Sequence, residues 1–241
     1  MPPLPSEHNF ESPALEAYLL GRIDFDRCLA LQQRLVGRVN GRDDGQVCLL
    51  LCEHGRIVTI GRSGSPGDVR FDSRLLRTGQ IEVRWVKRGG GCLVHAPGQL
   101  AVYPILPLRW HGFSLGEFLL RFQRAVGQTL ESLGAAIQPG PDQGLWGRTG
   151  QLAAFGVAIR DWVSYHGAFI NVAPSMGLFR LVGSDPRQGP PMSCLMAERR
   201  KPVRMTSVRA ELIPRLAEAF GCDRYHLYTG HPALRQTLPA R

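Results

Sequence analysis

Residues 88–99, reading Arg-Gly-Gly-Gly-Cys-Leu-Val-His-Ala-Pro-Gly-Gln, constrain this chain more than any other stretch. Three successive glycines carry no Cβ, so a ligand or another segment can approach the main chain closely. Arg88 sets a cation before the glycines and His95 an imidazole after them. Pro97-Gly98 reads as a turn, and residues 99–106 read as a buried apolar strand. A tight connection with no ligand would account for a bare Gly-Gly-Gly. The fixed spacing of Arg88, His95 and Gln99 points instead to the wall of a binding site.

The pattern around this loop alternates between two periods. Strands are expected over 14–23, 47–52, 56–60, 81–86, 99–106, 151–159 and 164–172. Pro104 and Pro107 argue for an edge position, or an early end, for the strand that holds Pro104. Asp24 is a fair N-cap for a helix with Phe25, Cys28, Leu29, Leu35 and Val36 on one face. Ser114 and Glu117 have capping-box spacing ahead of an apolar stripe that includes Phe118, Phe122, Val126 and Leu130. A further helix is expected over 206–220, and a short one over 73–77. The fold class is therefore α/β (α+β), one domain around a mixed sheet flanked by helices. Residues 1–12 read as a loose arm, 13–221 as the domain, and 222–241 as a tail that frays.

The 241 residues, 44% of them hydrophobic, suffice for one core of ordinary size. The net charge of +9 suits anionic partners such as an acidic protein or a phosphorylated ligand. The arginines are scattered, and no aromatic RNA-binding motif or zinc-finger spacing accompanies them, so nucleic acid is not expected. Six cysteines form no C-x-x-C pair, which fits a reduced cytoplasmic protein with no metal and no cofactor. No signal-peptide pattern or membrane-length apolar run is present, and a monomer is expected.

Four motifs occur in order: Thr59-Ile60-Gly61-Arg62; Arg88-Gly89-Gly90 with His95-x-Pro97-Gly98-Gln99; Leu152-Ala153-Ala154-Phe155-Gly156; and His166-Gly167-x-x-x-Asn171. Together they resemble the lipoyl(octanoyl) transferases, the octanoyl-acyl-carrier-protein:protein octanoyltransferases, over residues 20–220. The resemblance implies the fold of the biotin/lipoate protein ligases. It implies transfer of octanoyl from an acyl carrier protein to a lysine on a lipoyl domain, either of a 2-oxoacid dehydrogenase or of the glycine-cleavage H protein. It also marks a substrate-binding set: Arg88, Gly89, Gly90, Gly91, His95, Gly98, Gln99, Ala153, Ala154, Gly156, His166, Gly167 and Asn171.

In such enzymes a cysteine carries the acyl group as a thioester, and a lysine beside it favours the thiolate. Here the lysine position is Gln151, and the cysteine position falls on Asp185, or on Ser184 with a one-residue shift. Gln151 has no charge to stabilise an anion, and neither Asp185 nor Ser184 is a thiol. Cys92, three residues before His95 and able to pair with it, and Cys194 are the available substitute nucleophiles, although the favoured reading of each is a small packed filler. His95 and His166 can be bases, or can simply bond loop carbonyls. Three readings follow: an octanoyltransferase-like protein, a catalytically inactive acyl- or lipoyl-binding relative, and an ATP-dependent lipoate/biotin-type ligase.

Overall fold

The computed structural model describes residues 13–42, 44–69, 78, 81–138, 140, 144–179 and 192–235. Strand β1 (Ala14–Arg22) leads into α1 (Phe25–Asn40), where the Asp24 carboxylate accepts the Arg27 N–H at 2.8 Å and so caps the first turn. Helix α1 is the crossover that brings β2 (Val47–Glu53) in parallel to β1. Three short strands follow, β3 (Ile57–Ile60), β4 (Glu82–Trp85) and β5 (Cys92–His95), and form a small sheet ordered β4-β3-β5. The chain re-enters the main sheet as β6 (Gln99–Ile105), then forms α2 (Leu115–Ser132), β7 (Leu145–Gly147), β8 (Gly150–Arg160) and β9 (Val163–Asn171). Helices α3 (Leu195–Arg199) and α4 (Met205–Ala219), strand β10 (Arg224–Thr229) and the short α5 (Pro232–Arg235) complete it.

The seven-stranded main sheet runs β10-β1-β2-β6-β9-β8-β7. Its β10-β1-β2 part is parallel and the remainder antiparallel, so it is the expected mixed sheet. Both faces are covered. Along β2, Val47, Leu49 and Leu51 face the core beneath α2 and α4, while Cys48, Leu50 and Cys52 face the core beneath α1. A strand buried on both sides reads as a continuous apolar run, as 47–52 does. On α2, Phe118, Phe122, Val126 and Leu130 are fully buried, and Ser114 Oγ accepts the Glu117 N–H at 3.1 Å. Only that half of the expected capping box forms: the Glu117 carboxylate turns to Arg121, at 2.8 Å. The β8–β9 hairpin closes on Asp161 (φ 52°) and Trp162 (φ 60°), two left-handed residues that match a two-residue primed turn.

Two expectations are corrected. The edge position is overturned for β6, which lies at the sheet's centre between β2 and β9, whereas the early end holds, since the strand stops at Ile105, before Pro107. The reason is local. The β6–β9 ladder ends at Val102, and the Pro104 ring sits over Gly167, where a Cβ would stand 3.0 Å from Pro104 Cδ and 2.0 Å from the Val102 carbonyl oxygen. Beyond it the Ser164 hydroxyl donates to the Pro104 carbonyl at 2.7 Å and accepts from the Leu106 N–H at 3.1 Å, replacing the missing rung. Second, residues 224–229 do not fray. They pair in parallel with β1, and Tyr228 stacks on Tyr18 at 5.1 Å. The helix expected over 73–77 and the arm at 1–12 lie outside the described residues.

Gly167 thus serves packing. Gly167→Ala forces a methyl into the backbone of a central strand and is expected to cost about 1–3 kcal/mol or more. A lowered urea midpoint with an unchanged slope is the check.

Candidate functional site

A cavity of about 790 Å³ opens between the glycine loop, β8 and the first turn of α2. That is large enough for a small organic ligand. Phe155, Val157, Leu115, Leu119, Phe179 and Met192 give it apolar walls, and Arg62, Asp68 and Arg88 supply its charged groups.

The glycine loop is built by close backbone approach. Gly61 N–H donates to Gly91 O at 3.1 Å, Arg62 N–H to Arg88 O at 3.0 Å, and Ser63 N–H to Gly90 O at 3.1 Å. A Cβ at Gly61 would lie 2.4 Å from Gly90 O. On its other side, Gly89 N–H bonds Val157 O of β8 at 2.9 Å. The loop is therefore both the tight connection and the cavity wall.

Arg88 is almost wholly buried. Its guanidinium donates to Thr59 Oγ1 at 2.7 Å, Thr59 O at 2.8 Å and Gly89 O at 2.9 Å. A Cβ at Gly156 would meet Arg88 Cδ at 2.8 Å, so the arginine stem needs that glycine. Burial holds the guanidinium below its ordinary value, at about 10, still cationic near neutrality.

The hydrogen bonds behind Arg88 have a forced direction. Thr59 Oγ1 accepts from Arg88, so its proton goes to His95 Nε2, 2.8 Å away. His95 Nδ1–H then donates to Gln99 Oε1 at 3.0 Å. Gln99 Nε2 donates to Asn171 Oδ1 at 2.9 Å, and Asn171 Nδ2 donates to Ser193 O at 2.9 Å. Ser193 Oγ bonds Thr149 Oγ1 at 2.7 Å, and Thr149 donates to Glu198 Oε2 at 2.9 Å. Burial pushes the Glu198 carboxyl up, but hydrogen bonds from the Thr149 hydroxyl and main chain outweigh it and hold the carboxyl below its usual value. The chain of contacts thus ties a buried cation to a buried carboxylate across the small sheet, β6, β9 and the start of α3.

Of the expected site residues, Arg88, Gly89, Gly90, Gly91, Cys92, Gln151, Ala154 and Gly156 line the cavity. His95, Gly98, Gln99, Ala153, His166, Gly167 and Asn171 do not. His95, Gln99 and Asn171 belong to the buried polar chain instead. Ala153 packs in the core beneath α2 and α4. Gly98 (φ +91°) lies against the Ala173 carbonyl, which a Cβ would meet at 2.5 Å. His166 sits at φ 55° on β9, its main-chain N–H held by Gln32 Oε1 at 2.8 Å. Its ring Nδ1 has no hydrogen-bond partner among the described residues. Ser184 and Asp185 lie outside the described residues.

Cys92 and His95 do not pair as nucleophile and base. Both His95 nitrogens are taken by Thr59 and Gln99, and burial, with His54 and Arg88 nearby, holds the ring well below its ordinary value. The Cys92 thiol instead donates to Ser65 O at 3.4 Å and lies 3.9 Å from the Asp68 carboxylate. Burial and that carboxylate push its pKa up, the wrong direction for a nucleophile. Cys194 is buried at the N-cap position of α3, where its side chain makes no capping hydrogen bond, and it does not line the cavity.

Thr149, Ser193 and Glu198 escaped sequence reasoning. Glu198 precedes two arginines in a run that looks like a solvated helix face, and nothing local signals its burial.

The mixed sheet with helices on both faces is the fold of the lipoate protein ligases. A lipoate-protein ligase A bound with ATP superimposes with a TM-score of 0.70 at 17% identity, over 92% of this chain and 90% of that one. A bi-partite lipoate protein ligase from Thermoplasma acidophilum, studied with its E2 lipoyl domain, gives 0.70 at 17% identity, over 91% and 88%. At that identity the likeness shows the fold alone. The chain belongs to the lipoyl protein ligase A/B catalytic domain family, whose model matches residues 24–219. An octanoyltransferase from Geotalea uraniireducens (strain Rf4) is 34% identical over 194 residues, 80% of this chain and 87% of that protein. This is an octanoyltransferase-like protein of lipoate metabolism. Among the described residues no helix is long and apolar enough to cross a membrane.

The buried histidines make stability pH-dependent. Burial, aided by the charge of Arg88, pushes His166 down to about 3 from 6.5. Below pH 6.5 the unfolded chain binds a proton that the folded chain refuses, so stability falls as pH drops from about 6.5 towards 3. At pH 5 this one group costs about 2 kcal/mol. His166→Asn, which tolerates the left-handed backbone, is expected to lose about 2 kcal/mol less than the parent between pH 7 and pH 5 in urea unfolding.

Proposed function

We propose that this chain holds an octanoyl- or lipoyl-type acyl group in the cavity without passing it through a cysteine thioester. The observation that carries this reading is Gln151, an uncharged amide on the cavity wall where the family resemblance calls for a lysine. The cavity thiol, Cys92, supports it, since its surroundings disfavour the thiolate. Asp185 and Ser184, at the position expected of the nucleophile, are not thiols either. The apolar walls suit an alkyl chain, and Arg62 suits a carbonyl or carboxylate end, with the buried charge of Arg88 behind the glycine loop adding to the local positive field. The carriers consistent with this reading are acyl carrier protein and lipoyl domains, whose acidic surfaces a net charge of +9 would attract. A cytoplasmic location and a monomeric state accompany the proposal. The ATP-dependent ligase reading is weaker, because Gln151 has no charge with which to hold an adenylate phosphate.

Octanoyl-carrier protein is expected to bind the wild type, with affinity at least tenfold lower for Ala154→Phe, which fills the cavity. Incubation with octanoyl-carrier protein and apo lipoyl domain should give no octanoylated domain by mass spectrometry. The double variants Gln151→Lys/Asp185→Cys and Gln151→Lys/Ser184→Cys are the counter-test, and one of them should gain transfer. Multiple-turnover octanoylation by the wild type would overturn the proposal, as would ATP-pyrophosphate exchange or absence of any binding.

A further inference from the structure

Cys28 lies 24 residues before Cys52 and 26 before His54, with no familiar metal-binding spacing, yet the fold gathers all three on the α1 side of the sheet. Cys28 comes from the first turn of α1, Cys52 from the end of β2, and His54 from the residue after β2. Their donor atoms all lie within 4.8 Å of one another, and all three residues are buried. Cys28 Sγ is 3.9 Å from Cys52 Sγ, and Cys52 Sγ is 3.5 Å from His54 Nε2.

Those two separations are informative. A tetrahedral zinc holds thiolate at about 2.3 Å and imidazole nitrogen at about 2.0–2.1 Å, which sets neighbouring ligand atoms about 3.5–3.8 Å apart. The Cys28–Cys52 and Cys52–His54 separations already lie close to these values. His54 is also in the right tautomer. Its Nδ1–H donates to the Ile23 carbonyl at 2.9 Å, leaving the Nε2 lone pair directed at Cys52 and the Tyr103 hydroxyl, 2.8 Å away. Ligating histidines are commonly oriented by such a bond from their other nitrogen to a main-chain carbonyl. Gln32 supplies a second support. Its Oε1 accepts the His166 main-chain N–H, which turns its NH2 towards Cys28 Sγ at 3.8 Å, where it would stabilise a thiolate.

We propose that Cys28, Cys52 and His54 form a zinc-binding site, separate from the acyl cavity, that clips the start of α1 to the end of β2. Two sulfurs and one imidazole are a soft, borderline donor set that selects zinc over magnesium or calcium. Binding one Zn2+ forms two Zn–S bonds and one Zn–N bond. It releases the two thiol protons to solvent, displaces the Tyr103 hydroxyl from His54 Nε2, and leaves the fourth position to a water retained from the ion's hydration shell. No electron transfer is involved. None of the three residues lines the acyl cavity, so the proposal stands or falls independently of the function proposed above.

The test uses the full chain, reduced and stripped with a chelator, then titrated with Co2+ and Zn2+. One equivalent of metal is expected, with tetrahedral cobalt absorption and thiolate-to-cobalt charge-transfer bands, and two protons released per zinc. Cys28→Ser and Cys52→Ser should each weaken zinc at least tenfold in indicator competition, and Cys48→Ser, four residues back along β2, should not. If either ligand variant fails to fold, zinc-edge X-ray absorption of the wild type decides: two sulfurs at about 2.3 Å support the site. A nitrogen- and oxygen-only shell overturns it. So does binding that Cys28→Ser and Cys52→Ser leave unchanged, or a chain that takes up no metal and instead forms a Cys28–Cys52 disulfide in air.

Discussion

One buried guanidinium organises the site. Arg88 lies beneath the glycine loop, bonded to both oxygens of Thr59, with its stem pressed against Gly156. A buried cation is tolerated only where its N–H groups are satisfied. Thr59 meets that need and hands its own proton to His95, so each later donor is fixed by the one before it. The result is a polar seam that runs from the small sheet to Glu198 and sets the tautomer of a histidine that never reaches the cavity. Catalysis-like residue types here do positioning work: they hold the loop and β8 at the separation that leaves room between them.

Much of the fold was legible because the periodicities were clean. The stripe through Phe118, Phe122, Val126 and Leu130 is buried as the helical spacing requires. The run 47–52 is a strand covered on both faces, and its lack of alternation said as much. Pro104 misled, because an edge assignment follows from a proline's own missing donor, whereas the structure supplies the compensation from Gly167 and Ser164, some sixty residues away. The tail at 224–229 misled for a similar reason: its pairing with β1 is a contact across nearly the whole chain.

The site was legible in part. The glycine loop, Arg88 and Gln151 reach the cavity as the ordered motifs suggested, whereas His95, Gln99, His166 and Asn171 do not. Motif membership marks where structure is tightly specified, and does not distinguish a wall from the framing behind it. Glu198 and the Cys28, Cys52, His54 group were invisible for the converse reason, as each depends on burial and on segments far apart in sequence.

Strand β10 carries a wider consequence. All six of its residues are exposed, yet it occupies the flank of β1, whose Leu15 and Ala17 are fully buried. It moves the sheet's open border from an apolar strand to one bearing Arg224 and His226. An unpaired border invites a neighbouring molecule to add its own strand. Strand β10 therefore works as a bumper, and versions shortened before it would be prone to clump even with the cavity intact.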